Sequence, residues 1–211
     1  MYLCTLIETI MKPKLPTVYV CSPAREFILP YIDRELCGRY ERVENPADAQ
    51  FHVAVINPGD DLPEGFPAGG TVLECPNIVG TGMTGLPMEL ACRIARGTYF
   101  HILGNDTRLS TIHASDVARA VGLAIGSGRR LTLTDGADPS FHDFADALAY
   151  RINDKRILTV KPLWARFLMN GALRRTVTTD AVVYHISTLE GFRPTPVTEY
   201  LRTHVYDDES L

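Results

Sequence analysis

Ser22, His113 and Asp116 of this 211-residue chain are the residue types of a hydrolase triad. In such a triad the serine attacks a carbonyl carbon, the histidine takes its proton, and the aspartate orients the imidazole. The serine usually sits in a Gly-x-Ser-x-Gly turn between a strand and a helix. Ser22 lies instead in Cys-Ser-Pro-Ala-Arg, and Asp116 with Ser115 suits capping of the helix that follows. We therefore predict no triad.

Composition and charge argue against two kinds of partner. The formal charge is −4, and apolar and charged residues make up 45% and 22% of the chain, which is typical of a globular protein. Non-specific binding of nucleic acid needs a concentrated basic surface, which this charge does not favour. No run approaches the roughly 20 apolar residues of a membrane span. We predict a cytoplasmic protein with neither nucleic acid nor a membrane as partner.

The cysteines and the termini show no metal-binding or targeting pattern. The five cysteines form no Cys-x-x-Cys pair and no zinc-ligand spacing, so we expect buried reduced thiols and no metal. The apolar start lacks both a basic segment and a small-residue cleavage site, so no signal peptide is predicted. We assign residues 1–16 to an N-terminal arm, 17–205 to a single domain and 206–211 to a disordered tail.

Apolar runs and turn residues predict strands that alternate with helices. Two β-branched runs predict buried parallel strands at Thr17–Cys21 and Phe51–Ile56, and a third strand opens at Thr71. Shorter strands are predicted at 99–103, 131–133 and 157–160. Helices are predicted at 24–36 (in two pieces because of Pro30), 86–96, 115–125, 141–151 after a Ser140 cap, 163–173, 179–189 and 196–205.

This alternation is typical of an α/β fold with a mainly parallel sheet. We predict a reduced Rossmann-like parallel sheet of four or five strands flanked by helices. Its core is residues 17–80, and elements within 81–205 build a small C-terminal substrate-side lobe. Strand 51–56 should lie between strand 17–21 and the strand that opens at Thr71.

Four segments carry a recognisable pattern. Residues 73–80 read Leu-Glu-Cys-Pro-Asn-Ile-Val-Gly, and residues 104–118 read Gly-Asn-Asp-Thr-Arg-Leu-Ser-Thr-Ile-His-Ala-Ser-Asp-Val-Ala. Leu-Thr-Asp-Gly at 133–136 precedes a helix, and residues 191–196 read Gly-Phe-Arg-Pro-Thr-Pro. In this order the segments resemble the extended short-chain dehydrogenases/reductases, the NAD-dependent epimerase/dehydratase family. The match covers roughly residues 71–205.

The resemblance implies an NAD(P) cofactor, but the chain departs from the family at the cofactor turn. In the family the first strand runs into glycines, because only glycine lets the backbone approach the pyrophosphate at a helix N-terminus. Here residues 21–26 read Cys-Ser-Pro-Ala-Arg-Glu, and Pro23 has no amide donor. Ser22 is the remaining cofactor-binding candidate, and we expect no cofactor.

The family's acid/base tyrosine, whose phenol is activated by a lysine four positions later, also lacks a counterpart. None of the nine tyrosines has a lysine at that spacing. The family places this pair on a helix between the fourth and sixth strands, whereas residues 57–70 form a short stretch rich in proline and glycine. We predict that the catalytic layer is deleted and that no residue is catalytic.

By resemblance, Asn77, Arg108 and His113 are substrate-binding candidates beside a nucleotide-linked sugar. A guanidinium fork such as that of Arg108 suits two diphosphate oxygens. Each residue also has a structural interpretation. These are a turn for Asn77, a core hydrogen bond for His113, and a surface ion pair with Asp106 or Glu74 for Arg108.

Three functions remain open. The favoured one is a non-catalytic relative of the family that binds a nucleotide, a sugar nucleotide or a protein partner. The second is an active NAD(P)-dependent epimerase or reductase with an atypical cofactor loop. The third is a structural or oligomerisation subunit, in which the apolar cluster around Trp164 forms a homodimer face if it is exposed.

Overall fold

The structure is a computed structural model that describes residues 14–23, 25–152, 156–169, 171–178 and 183–203. The predicted tail and the predicted arm before residue 14 lie outside these residues. The strands are β1 (Thr17–Cys21), β2 (Glu41–Val43), β3 (Phe51–Ile56), β4 (Thr71–Glu74), β5 (Ile78–Val79), β6 (His101–Ile102), β7 (Ile112–His113), β8 (Arg130–Thr132) and β9 (Thr159–Val160). The α-helices are α1 (Leu29–Leu36), α2 (Gly85–Ala95), α3 (Ala114–Ala124), α4 (Phe141–Ile152), α5 (Pro162–Leu168), α6 (Gly171–Thr178) and α7 (Val197–Thr203).

Five strands form one parallel sheet in the order β2-β1-β3-β4-β8. β3 pairs with β1 on one side and with β4 on the other, which confirms the predicted neighbours. The sequence does not predict the edge strand β2, because Glu-Arg-Val offers no apolar run. This parallel sheet with its flanking helices confirms the predicted Rossmann-like α/β fold.

One face of the sheet is covered by α1 and α3, which pack against each other. Side chains alternate along a strand, so Val18, Val53 and Leu73 all point to this face, and all three are fully buried. Val117 and Val121 of α3 complete the same cluster. This apolar layer holds the positions of the strand ends.

The opposite face of the sheet is covered by a loop. Residues 57–70 connect β3 to β4 and contain neither helix nor strand. Phe66 of this loop packs on Ala54, Ile56 and Val72. On this face a loop with one aromatic side chain therefore covers the sheet, whereas helices cover the other face.

A second apolar cluster forms the small C-terminal lobe. Helix α4 packs against α2 and α7 and buries Phe141, Phe144 and Leu148. Phe27, in the short 3₁₀ turn Glu26–Ile28, packs against both this cluster and the sheet cluster. The first connection after β1 thus contacts both lobes.

One predicted helix is not found in the part of it that the structure describes. The prediction of a helix at 179–189 is wrong for residues 183–189, and the rest lies outside the described residues. The amide of Ser187 donates to the carbonyl oxygen of Thr132 at 2.8 Å, and the amide of Thr132 donates to Ser187 Oγ at 2.9 Å. Because β8 is an edge strand, its backbone groups need partners, and this segment supplies them.

The predicted helix 163–173 is two helices, α5 and α6. The backbone is extended at Met169, whose side chain is buried in the second apolar cluster. The predicted break in 24–36 is confirmed, because a 3₁₀ turn precedes α1 and Pro30 lies in the first turn of α1. Ala24 lies outside the described residues. The strands predicted at 99–103 and 157–160 shorten to β6 and β9, which pair with each other outside the main sheet.

The four described cysteines are free, but they differ in burial. Cys75 is buried as expected, and burial raises the pKa of its thiol to about 12. The expectation of buried thiols is wrong for Cys37, which is exposed after the end of α1. No described helix has the length and apolar character needed to cross a membrane.

Leu73→Ala tests the apolar layer under α1 and α3. Leu73 is 0% exposed, so its truncation should lower the free energy of unfolding by about 2–5 kcal/mol. The same change at Leu158, which is 67% exposed, should cost less than about 0.5 kcal/mol. Urea unfolding of both variants measures the difference, and equal losses would contradict the packing described above.

Candidate ligand-binding site

A cavity of about 320 Å³ opens at the carboxyl ends of β1, β3 and β4. In parallel α/β sheets, ligands bind outside the carboxyl ends of the strands, at the point where the strand order reverses. Here the order reverses between β1 and β3. The residues that line the cavity are Arg25, Phe27, Asn57, Asn77, Ile78, Thr84, Gly85, Leu86 and Pro87.

Arg25 crosses the crevice between the strand ends. Its Nη1 donates to the carbonyl oxygen of Cys75 at 2.5 Å, and its Nη2 donates to Oδ1 of Asn57. Both acceptors are neutral, and no described carboxylate forms an ion pair with Arg25. Burial lowers the pKa of the guanidinium, which nevertheless stays charged because arginine does not lose its proton in proteins.

The first turn of α2 forms another wall of the cavity through residues 84–87. The first amides of a helix have no partner within the helix, and the helix dipole places partial positive charge there. Pro87 has no amide, so the helix-start amides among the lining residues are those of Gly85 and Leu86. Together with Arg25, this turn makes the cavity electropositive.

Asn57 and Asn77 supply amide groups from two strand ends. Asn57 Nδ2 donates to Asp60 Oδ2 at 2.7 Å. This bond orients the side-chain amide of Asn57 so that its Oδ1 accepts from Arg25. Asn77 has a φ of 40°, in the left-handed region that asparagine tolerates, and its Nδ2 donates to the carbonyl oxygen of Ser110 at 2.9 Å. Asn77 therefore makes a turn and also lines the cavity.

The turn after β1 does not fit the pyrophosphate of a dinucleotide. Pro23 offers no amide, and Glu26 places a negative charge in the first turn, where a Rossmann fold binds phosphate. Arg25 also occupies the crevice itself.

Two features do suit a nucleotide. Ser22 is 7% exposed and its Oγ has no hydrogen-bond partner among the described residues, and Glu44 follows β2, where an acidic residue holds ribose in NAD-binding folds.

His113 lies in the core, outside the lining of the cavity. It is buried, its Nδ1 accepts from the amide of Ser115 at 3.2 Å, and its ring stacks on Tyr200 with 3.6 Å between ring centroids. The prediction that Ser115 and Asp116 cap α3 is wrong, because the His113 imidazole is the cap. Asp116 instead accepts from the amide of Thr195 at 2.9 Å, and burial raises the pKa of its carboxyl.

Arg108 is exposed and also lies outside the lining. Its Nη1 donates to the carbonyl oxygen of Asp138 at 3.1 Å. The interpretation of Arg108 as the ion-pair partner of Glu74 is wrong, because Glu74 pairs with Arg130 at 2.7 Å. The alternative partner Asp106 forms no ion pair with a described residue.

A buried carboxylate joins the segments that carry the family-like pattern. Asp135 Oδ2 accepts from Thr111 Oγ1 and from the amide of Val197, each at 2.8 Å, and Oδ1 accepts from the amide of Ala137 at 2.9 Å. These bonds join the end of β8 to the loop before β7 and to the first residue of α7. Asp135, which belongs to the family-like pattern, thus links the sheet to the C-terminal lobe.

Of the four residues that the sequence proposes for the site, the structure places Asn77 in the lining and leaves Ser22, Arg108 and His113 outside it. Arg25 and Asn57 are the additions. Both follow a buried strand of the central sheet at its carboxyl end, and that position is a signal that sequence reasoning can use. No group of three or more described His, Cys, Asp or Glu side chains is arranged to hold a metal ion.

Comparison with known proteins shows the fold but not the family. No protein-family model matches the chain, and no curated protein matches its sequence. GDP-L-fucose synthetase from Naegleria fowleri superposes with a TM-score of 0.55 at 7% identity, over 92% of this chain and 93% of that one.

Two epimerases have the same architecture. UDP-glucose 4-epimerase from Thermotoga maritima, solved with UDP-glucose, has a TM-score of 0.51 at 12% identity, over 97% of this chain and 80% of that one. UDP-N-acetylglucosamine 4-epimerase from Bacillus cereus has a TM-score of 0.50 at 9% identity, over 91% and 100%. At such identities the likeness establishes only a Rossmann-like fold, which this chain shares with the two epimerases and the GDP-L-fucose synthetase.

Glu74→Gln tests the carboxylate at the end of β4. Burial pushes the pKa of Glu74 up, but hydrogen bonds from Arg130, Thr132 and the amide of Gly59 outweigh it and hold the pKa below its ordinary value of 4.5. A lowered folded-state pKa stabilises the protein above pH 4.5, and this contribution is lost as the pH falls through the folded-state value.

The variant should therefore lose roughly 1 kcal/mol of stability at pH 7, since Arg130 is half exposed and its pairing is partly screened. The loss should shrink towards zero as the pH falls below 4.5. Urea unfolding across this range measures it, with the exposed Glu64→Gln as the matched control. A penalty that does not change with pH would contradict the assignment.

Proposed function

We propose that this protein binds a nucleotide or a sugar nucleotide in the cavity at the carboxyl edge of the sheet, without catalysing oxidoreduction or epimerisation. The observation that carries the proposal is the Arg25 guanidinium, which lines the cavity and has only neutral acceptors among the described residues. The first turn of α2 lies on another wall of the cavity. Phosphate oxygens are anionic acceptors that suit both a guanidinium fork and free helix amides.

The proteins that share this fold support that choice of ligand. They include a UDP-glucose 4-epimerase solved with UDP-glucose and a GDP-L-fucose synthetase. The cavity here lies at the strand-order reversal, where α/β folds hold nucleotides. Residues of this chain favour a phosphate ligand, because the shared fold fixes only where a ligand would lie.

Three features support a binding role without catalysis. No tyrosine lines the cavity, so no phenol is available there as an acid or base. Residues 57–70 hold no helix, and that is where the family carries its tyrosine and lysine. The turn after β1 does not fit the pyrophosphate of NAD(P).

Phe27 contacts both apolar clusters, which supports our assignment of residues 17–205 to one domain.

Calorimetric titration tests the proposal. UDP-glucose should bind with a dissociation constant of about 10–100 µM, which corresponds to roughly −7 to −5.5 kcal/mol, and NADH should bind more weakly. Incubation with NAD⁺ and UDP-glucose should give no UDP-galactose by proton NMR and no absorbance at 340 nm. Turnover, or tighter binding of NADH than of UDP-glucose, would support an active epimerase or reductase instead.

A second candidate, self-association, is favoured by one observation. Helix α5 exposes Leu163, Trp164, Phe167 and Leu168, and Trp164 and Phe167 are 60% and 77% exposed. An apolar patch of this kind is typical of a protein interface. In this proposal two copies meet through α5 and form a homodimer.

Light scattering coupled to gel filtration tests the homodimer. The wild-type protein should elute with the mass of two chains, and the double variant Trp164→Glu, Phe167→Glu should elute with the mass of one, because buried charges oppose association. Tyr150→Glu, a comparable exposed aromatic on α4, is the control and should leave the mass unchanged. A monomeric wild type would remove this candidate.

A further inference from the structure

We infer that Arg25 bars a dinucleotide from the crevice between β1 and β3 and instead binds the phosphate of a mononucleotide-sized ligand. This inference rests on the proposed function and narrows its ligand. The shared chemistry is a phosphate ester next to a ring, as in the nucleoside monophosphate half and the sugar phosphate half of a sugar nucleotide.

The position of the guanidinium excludes the dinucleotide. In a Rossmann fold the dinucleotide lies across the crevice at the strand-order reversal, which is here between β1 and β3. Arg25 leaves the end of β1 and is bonded to Asn57 beyond β3 and to the carbonyl oxygen of Cys75 beyond β4. A dinucleotide in that position would have to displace a half-buried cation and break both bonds.

The charge of the guanidinium favours an anionic ligand. A cation removed from water is costly unless an opposite charge accompanies it. Arg25 is the one charged side chain among the residues that line the cavity. The negative charge of Asp60 acts on Arg25, but its carboxylate accepts from Asn57 and forms no hydrogen bond to Arg25. A phosphate in the cavity would supply the missing charge.

The donors of Arg25 are suited to that phosphate. A guanidinium has five N–H groups, and each of the two bonds to Asn57 and Cys75 uses one of them. The two bonds fix the plane of the group while other N–H groups remain for a ligand. A preorganised fork of this kind loses little side-chain entropy on binding.

The size and the apolar wall of the cavity set the rest of the ligand. Its volume of about 320 Å³ lies at the low end of the range of about 300–1,000 Å³ found for ligand sites. Phe27, Ile78 and Leu86 form an apolar wall against which a ring can pack. One phosphate with one ring suits this space better than two nucleotides.

The test compares ligands that differ only in the phosphate. By calorimetry, UMP should bind the wild type at least tenfold more tightly than uridine does, and glucose 1-phosphate more tightly than glucose. In Arg25→Gln both preferences should disappear, and in Arg25→Lys, which keeps the charge without the fork, they should be intermediate. Arg96→Gln, an exposed site at the far end of α2, is the matched control and should behave like the wild type.

NADH provides the opposite readout. Arg25→Ala opens the crevice, so its affinity for NADH should rise relative to the wild type while its affinity for UMP falls. Thermal unfolding checks that each variant is folded. If UDP-glucose binds the wild type but Arg25→Gln keeps the phosphate preference, the inference fails while the proposed function stands. If neither UDP-glucose nor UMP binds the wild type, both fail.

Discussion

The arrangement of the two lobes depends on one buried carboxylate. Asp135 accepts hydrogen bonds from a hydroxyl and two amides, and its own amide donates to the carbonyl oxygen of Thr111 at 2.7 Å. A buried charge is tolerated only when such bonds replace its water. Because these bonds join the sheet to the start of α7, they fix the C-terminal lobe against the strand ends. Helix α2 forms a wall of the cavity and packs against α4, and α4 in turn packs against α7.

A second constraint is the short loop between β3 and β4. It covers one face of the sheet with Phe66 and brings Asn57 and Asp60 to the strand ends. Asn57 then gives Arg25 an acceptor across the crevice. Residues 57–70 of this loop contain no helix. The loop therefore both covers a face of the sheet and supplies an acceptor to Arg25 beside the cavity.

Residues that the sequence pattern singles out, including the ligand candidates Arg108 and His113, form contacts within the protein. His113 caps α3 and stacks on Tyr200, and Asp116 holds the backbone at Thr195. Arg108 holds the carbonyl of Asp138. The cap is local, whereas the bonds of Asp116 and Arg108 and the stacking of His113 on Tyr200 join segments far apart in the chain. The cavity itself is lined by loops and a helix start at the carboxyl edge of the sheet.

The sequence by itself determined the elements whose signals are local. β-branched runs located Thr17–Cys21 and Phe51–Ile56, and the Ser140 cap located α4, because side-chain packing and capping act over a few residues. Only the tertiary structure decided β2, the path of residues 183–189 and the direction of Arg25. Each of these depends on acceptors or edge amides supplied by distant parts of the chain, which no local pattern encodes.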